Sequence, residues 1–463
     1  MIISFYGAAK SVTGSKHLIT LKSGKRILLD CGMFQGMKGQ AYDLNKEFLF
    51  DPSSVDYLIL SHAHLDHCGL IPLLVKKGFK GKIICTPPTK ELTSLILEDS
   101  AKIQKMEAIS MAHSSEGKVQ EPLYTQEDVS YCMNLFEALP YNQELEIEDE
   151  VKILFTDAGH ILGSAVVNLE CKEGRRKKKV CFTGDLGRYS NRILNAPQRC
   201  PEADIIICES TYGDGLHQSI ESSELKLQKI VHDVCIERKG KLIIPAFSIG
   251  RTQELIYSLN KLAEEQKIGN IPVFVDSPLS VYATNIIKAH TDCFNESMKE
   301  YIQKDPDPFA FPGLSYIVDH EESQLVQTID QPCIIISTSG MMDAGRIQYH
   351  LKNNLEDPAN AVLITGYCEP STLGGKISRG EKQVEILGEL VSVNAEILFM
   401  KEYSAHADYG DLLLFLSQHS KENLKHIFLV HGEEDTMNAF KLKLEKEGFY
   451  NIELADFRIS YQV

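Results

Sequence analysis

Tyr57-Leu58-Ile59-Leu60-Ser61-His62-Ala63-His64-Leu65-Asp66-His67 sets an apolar run directly before three imidazoles and a carboxylate. The run reads as a strand and the rest as the loop at its carboxyl end, where α/β folds collect their ligands. Imidazole and carboxylate are the donors that suit zinc, and four of them on one tight loop repel one another or stay unsatisfied without a cation. His62 and His64, two apart, turn the same way toward one ion, while Asp66 and His67, displaced along the turn, face a second. Each ion needs more donors than this loop offers. The ends of other strand-like runs offer His160 after VKILFTDAG, Asp185 after VCFTG and His431 after HIFLV. Asp185, with two carboxylate oxygens, can bridge both ions. A lone His-x-His is commonly a surface coincidence, and His17, His113, His217 and His350, outside any such pattern, are read as structural.

Working outward, short runs rich in β-branched residues recur along the chain: Arg26–Asp30, Tyr57–Ser61, Val151–Thr156, Val180–Asp185, Asp204–Glu209, Leu242–Phe247, Pro272–Asp276, Cys333–Ser337, Ala361–Thr365 and His426–His431. Helical patterns separate many of them, which predicts an α/β protein. Thr125, with Asp128 three residues on, predicts a helix start after a polar loop in the stretch Ser100–Val129. At 463 residues the chain has material for two to four domains, and its 43% hydrophobic and 24% charged content is that of an ordinary globular protein. No internal repeat or low-complexity segment is visible.

No apolar run approaches the ~20 residues that cross a bilayer. The first ten residues read as a short strand without the basic and apolar regions of a secretory leader, so a cytoplasmic address is expected. Twelve cysteines, scattered without a Cys-x-x-Cys pair, fit a reducing compartment and read mostly as small buried hydrophobes. The formal net charge of -16 argues against a nucleic-acid binder with a broad basic surface. The strongest basic run, Arg175–Lys179, reads as a solvated hairpin tip, with a nucleic-acid contact as the alternative.

The His-x-His-x-Asp-His loop resembles the signature of the metallo-β-lactamase superfamily. Asp30, ending RILLD, looks like its first motif, an acid supporting the metal loop from behind, and His160 and Asp185 look like its third and fourth. Glu209 in CESTYGD, His406 in SAHAD and His431 in VHGE resemble the three additional motifs of the β-CASP nucleases, as do AFSIGRTQE, STSGMMDAGR and TLGGK. The nearest likeness is to prokaryotic relatives of the cleavage and polyadenylation specificity factor endonuclease subunit. Histidine at position 431 is the choice of RNA-processing members, whereas DNA-processing members carry an apolar residue there. Because the sequence starts directly at its first strand, the amino-terminal KH module of longer archaeal relatives is not expected here.

This resemblance implies a metallo-β-lactamase αββα sandwich, from residues 1–209 and 393–463, interrupted by an α/β β-CASP domain over 210–392, with the active site between the two. It implies two Zn2+ ions, one held by His62, His64 and His160 and the other by Asp66, His67 and His431, with Asp185 bridging. His406 is then free to contact the scissile phosphate and protonate the leaving oxygen, with Glu209 orienting it, so that Asp30, Asp185, Glu209 and His406 form the catalytic set. Ser248, Arg251 and Ser339, in loops after strands, are candidates for cradling RNA phosphates, though a glycine used only to turn the chain explains the first loop equally well. Gly375-Lys376 fails the phosphate-loop register, because Pro370 and Ile377 replace the required Gly and Ser/Thr, so no nucleotide-triphosphate site is expected. The expected activity is zinc-dependent hydrolysis of RNA phosphodiesters, endonucleolytic, leaving a 5′-phosphate and a 3′-hydroxyl. A small-molecule ester or thioester hydrolase is the alternative on the same sandwich, and a non-catalytic scaffold would have lost ligands that are intact here. A homodimer is left open.

Overall fold

In Ile205-Ile206-Ile207-Cys208 every side chain is buried, and the two faces of the strand go to different places. Ile205 and Ile207 enter an apolar cluster with Phe5, Ile27, Leu29, Phe155, Val167 and Phe428. Ile206 and Cys208 join another with Leu412, Phe415, Phe440 and Leu444. A strand covered on both sides buries both its odd and its even residues, which is why these runs are continuously apolar.

The computed structural model describes residues 1–36, 40–113 and 120–463. These form two compact units, one of residues 1–191, 195–216 and 406–463, the other of 192–194 and 217–405. In the first unit, a seven-stranded sheet runs in the order Ser460–Gln462, Ile2–Phe5, His17–Thr20, Arg26–Leu29, Tyr57–Ile59, Lys82–Cys85, Phe136–Ala138. The second sheet runs Ile452–Leu454, His426–Val430, Ile205–Glu209, Arg176–Phe182, Ala165–Glu173, Val151–Asp157, Glu144–Ile147. The inner faces share the first cluster. The outer face of the first sheet packs Leu28, Leu58 and Ile83 on Ile71, Leu74, Leu97 and Val129 of the helices Ile71–Lys76, Pro87–His113 and Gln126–Met133. The outer face of the second sheet is covered by the helices Tyr409–Leu416 and Glu434–Lys446. The layers are helix, sheet, sheet, helix, the αββα sandwich expected.

All ten strand-like runs contain strands, each within a residue or a few of the expected limits. Thr125 caps the helix Gln126–Met133 with a reciprocal capping box to Asp128; the polar loop before it falls largely at 114–119, outside the described residues. The basic run lies where expected: Arg175 is in the turn between the antiparallel strands Ala165–Glu173 and Arg176–Phe182, and the mostly exposed Arg176 to Lys179 begin the second strand of that hairpin opposite Glu173, Lys172, Cys171 and Glu170, with Lys177 paired to Glu170 at 2.5 Å. Among the described residues no helix is long and apolar enough to cross a membrane. None of the twelve cysteines is in a disulfide, and all but Cys368 are buried.

The second unit is built on a six-stranded sheet, Leu314–Ile317, Val273–Asp276, Ile334–Ser337, Leu242–Pro245, Ala361–Ile364, Glu396–Phe399, parallel at every pairing. A hairpin of Gln383–Ile386 and Glu389–Ser392 stands beside it. The chain stays in this unit beyond the expected limit at 393, because Glu396–Phe399 pairs with Ala361–Ile364, and it re-enters the first unit at His406. Arg192–Leu194 belongs here too: Leu194 bridges Phe294, and Asn295 N donates to Ile193 O at 2.9 Å.

Candidate metal centre

Every candidate metal ligand lies in the first unit, on a loop leaving a strand. After Tyr57–Ile59 the chain turns into the short helix Leu65–Cys68, whose N-cap is His64. The turn places His62 and His64 before the helix and Asp66 and His67 within it, which separates the loop into two donor pairs as the spacing predicts. Gly184, with φ of +52°, lets Asp185 approach this loop: a Cβ there would lie 2.7 Å from Ser61 Cβ. His160 follows Val151–Asp157, and His431 follows His426–Val430.

Two groups of donor atoms result. His64 Nδ1 lies 3.1 Å from His62 Nε2 and 3.2 Å from His160 Nε2, and Asp185 Oδ2 is 3.5 Å from His62 Nε2 and 3.6 Å from His160 Nε2. Beside it, His431 Nε2 lies 3.3 Å from His67 Nε2 and 3.4 Å from Asp66 Oδ2, with Asp185 Oδ1 3.3 Å from His67 Nε2. Three neutral imidazole nitrogens converging on one point cannot all be satisfied by hydrogen bonds among themselves. A cation at the point satisfies them together, so the residues fit a metal on either side of Asp185.

The electrostatics agree. Burial, reinforced by His67 for His62 and by His406 for His160, holds both imidazoles well below their ordinary pKa, and burial lowers His64 to about 4. These rings keep the lone pairs a metal takes. Burial works against the ionised form of Asp185 but is outweighed by His431, His67 and His62, which hold its carboxyl well below the usual range. For His67 burial is outweighed by Asp185, Asp30 and Asp66, which raise it well above the ordinary value.

Asp30 supports this arrangement from behind. It accepts from Ser61 N at 2.8 Å, Ser61 Oγ at 2.9 Å and Ser15 Oγ at 3.2 Å, and His67 Nδ1 lies 2.6 Å from its Oδ2. Ser61 Oγ is also 3.0 Å from His62 Nδ1, so one carboxylate orients two candidate ligands. Asp30 and His431 both have positive φ, +58° and +51°, a conformation that costs a non-glycine residue free energy and that functional sites concentrate.

His406 belongs to a third set of donors, with Asp185, Glu209 and His431, that overlaps both of these groups. Its Nδ1 is 3.2 Å from Glu209 Oε2 and 3.9 Å from Asp185 Oδ2. Burial disfavours its charged form, but Glu209 and Asp185 outweigh this and raise its pKa above the ordinary value. Glu209, fully buried, also accepts from Leu186 N at 2.7 Å and Thr211 Oγ1 at 2.7 Å. Ser15, Ser61 and Thr211 are contributors that the sequence reading passed over, since a single hydroxyl carries no spacing signal.

Ser248, Arg251 and Ser339 are in the second unit. Ser248 and Ser339 follow the adjacent parallel strands Leu242–Pro245 and Ile334–Ser337, and the two loops touch: a Cβ on Gly340 would lie 2.9 Å from the Phe247 ring. Gly250, at φ +80°, caps the helix Arg251–Glu264. Arg251 is buried and paired with Glu254 at 3.3 Å. Ser339 N donates to Ala344 O at 3.1 Å.

Three family models match the chain: the metallo-beta-lactamase superfamily over residues 15–233, the Beta-Casp domain over 252–377, and the Zn-dependent metallo-hydrolase RNA specificity domain over 390–455. Ribonuclease TTHA0252 of Thermus thermophilus is 33% identical over 98% of this chain and 97% of its own length. An RNase J-like protein of Methanocaldococcus jannaschii is 32% identical over 96% of each. Cleavage and polyadenylation specificity factor 73 of Drosophila melanogaster is 30% identical over 95% of this chain and 61% of its own length. With the sandwich, the inserted α/β unit and the paired His/Asp groups in place, the chain belongs to the β-CASP family of the metallo-β-lactamase superfamily.

Proposed function

We propose that this protein is a zinc-dependent endoribonuclease. The observation that carries the reading is the pair of donor groups sharing Asp185, next to a histidine bound to a buried carboxylate. His62, His64 and His160 would hold one ion and Asp66, His67 and His431 the other, with Asp185 available to both. Bound zinc supplies Lewis acidity, which provides a nucleophile near neutral pH and offsets negative charge at the attacked phosphate. His406 keeps Nδ1 on Glu209, which leaves Nε2 to donate to the substrate, first to a phosphate oxygen and then to the departing 3′ oxygen. The products are a 5′-phosphate and a 3′-hydroxyl.

RNA is favoured over DNA by His431 and by the ribonuclease names of the relatives of near-equal length. The net charge of -16 is compatible with this substrate, because two dications concentrate positive charge where phosphate is attacked. Within the second unit, Ser248 and Ser339 are assigned contacts to RNA phosphates, while Arg251, paired with Glu254, opens the helix that follows Ser248. The decisive experiment is incubation of zinc-loaded protein with a circular RNA. Conversion to the linear form is expected. Degradation of linear RNA with the circle intact overturns the endonucleolytic reading, and no cleavage of either overturns the ribonuclease reading.

A further inference from the structure

Thr211 Oγ1 sits where two functional side chains meet, 2.7 Å from Glu209 Oε2, 3.0 Å from His431 Nδ1 and 3.1 Å from His431 O. A hydroxyl has one hydrogen to give and two lone pairs to receive with. Of the three neighbours the carboxylate is both the nearest and the strongest acceptor, so the hydrogen goes to Glu209, the contact with His431 O is not a hydrogen bond in that state, and a lone pair of the hydroxyl faces His431 Nδ1. Opposite a lone pair, His431 Nδ1 is satisfied only as N–H. The ring's own lone pair is then on Nε2, the atom close to His67 Nε2 and Asp66 Oδ2.

We propose that Thr211 is a positioning residue that selects the His431 tautomer with Nε2 free for a cation, so that Glu209 orients His431 through Thr211 as it orients His406 directly. The proposal rests on reading His431 as a metal ligand. What the hydroxyl does is separable from holding the chain in place. His431 N donates to Ala8 O at 2.7 Å and Ser210 N donates to His431 O at 3.3 Å, so the left-handed backbone of His431 is pinned without the hydroxyl. Glu209 is likewise fixed by Leu186 N through its other oxygen. The ring nitrogen of His431 is the group whose state depends on Thr211. One buried carboxylate therefore serves both the proposed ligand and the proposed acid, and a fixed geometry between the two follows from a single shared anchor.

Thr211→Val keeps the shape and removes the hydroxyl, and Thr211→Ser keeps the hydroxyl. Zinc affinity of both sites is measured by competition with a chromogenic chelator, alongside melting of the metal-free proteins. Thr211→Val is expected to weaken one of the two zinc sites ~10–100-fold, the usual span for removing a partner behind a metal ligand, and to leave the other near wild type. Thr211→Ser is expected to restore the lost affinity. Wild-type affinity at both sites in Thr211→Val overturns the proposal, as does a Thr211→Ser that loses as much as the valine variant. A second readout needs no variant: in 15N-histidine-labelled, zinc-loaded wild type, His431 is expected to carry its proton on Nδ1, and a proton on Nε2 overturns the proposal. Wild-type zinc content reports separately on the ligand assignment. One ion or none overturns that assignment and this proposal with it, whereas two ions in wild type together with unchanged affinity at both sites in the valine variant overturn the part given to Thr211 alone.

Discussion

His160 and His406 hold their rings 4.5 Å apart at an interplanar angle of 47°, yet His160 turns Nε2 toward His64 while His406 turns Nδ1 toward Glu209. Neighbouring imidazoles are thus committed to different partners, one to a group of lone pairs and one to a carboxylate. If His406 acts on the substrate, His406→Ala retains both zinc ions while single-turnover RNA cleavage falls ~10²–10⁴-fold, the span for losing a positioned acid or base. Glu209→Gln reproduces part of that loss. A His406→Ala variant that sheds zinc, or cleaves at the wild-type rate, ends this division of roles.

Elemental analysis of protein prepared without chelator is expected to give close to two zinc per chain, from the seven donors His62, His64, Asp66, His67, His160, Asp185 and His431. His431→Ala is expected to lower that content, in contrast to His406→Ala. A reproducible single ion, or iron with full activity, rules out the dinuclear zinc centre.

Asp30→Asn puts an amide N–H₂ among groups that all donate to the present carboxylate. The expected result is a ~10–100-fold loss of zinc affinity, as for other partners that orient ligands from behind. Chelator competition measures it, and unchanged affinity at both sites removes Asp30 from the supporting role.

RNA of mixed sequence is expected to be cut at least about tenfold faster than single-stranded DNA of the same sequence, ~1.4 kcal/mol in barrier. Both reactions are run at one stated salt concentration, because phosphate binding depends steeply on it. Equal or inverted rates remove the preference attributed to His431 and leave the metal centre standing.

In the second unit, Asp276 is buried between Arg346 Nη1 at 2.6 Å, His350 Nε2 at 2.7 Å and Ser323 Oγ at 2.6 Å. Burial alone would raise its carboxyl, but the hydrogen bonds from His350, Ser323 and Arg346 outweigh it and hold the pKa below the ordinary 3.8. A depressed carboxyl stabilises the fold above its unfolded-state value, and that contribution is lost as pH falls through the folded-state value. Asp276→Asn is expected to reduce the protection of the Val273–Asp276 amides against hydrogen exchange by about 3–5 kcal/mol at neutral pH, the cost of breaking a buried pair. The gap from wild type narrows as pH drops below 3.8. A gap independent of pH shows that the carboxylate charge is not what matters.

The parts of the fold legible in the sequence were those with a period or a dense chemical signal. Strands buried on both faces announce themselves as unbroken apolar runs such as Ile205–Cys208, and the His62–His67 loop concentrates charge and imidazole beyond what a surface tolerates. Thr125 and Asp128 were legible because a capping box needs two residues at a set spacing. Ser15, Ser61 and Thr211 were not, since each acts through one neutral oxygen whose partners are remote in the chain, Thr211 and His431 above all. The re-entry at His406 was missed because Glu396–Phe399 is an edge strand, only partly buried, and its weak apolar pattern does not say which sheet it joins. Arg251 reads as a free cation until Glu254, one helical turn on, is seen to hold it.

The strand Ile205–Glu209 has His426–Val430 as one of its two neighbours, and the intervening inserted unit separates them in the order of synthesis. On a ribosome adding ~5–20 residues per second, an apolar strand therefore waits on the order of ten seconds or more with an open edge before its partner emerges. Over the same interval His406 and His431 do not yet exist, so the nascent chain has neither the proposed acid nor a full set of ligands. If His406 and His431 have the roles proposed, the nascent chain does not cleave RNA before both have been made, and a translation product that stops within the inserted unit lacks them and leaves the Ile205–Glu209 edge open.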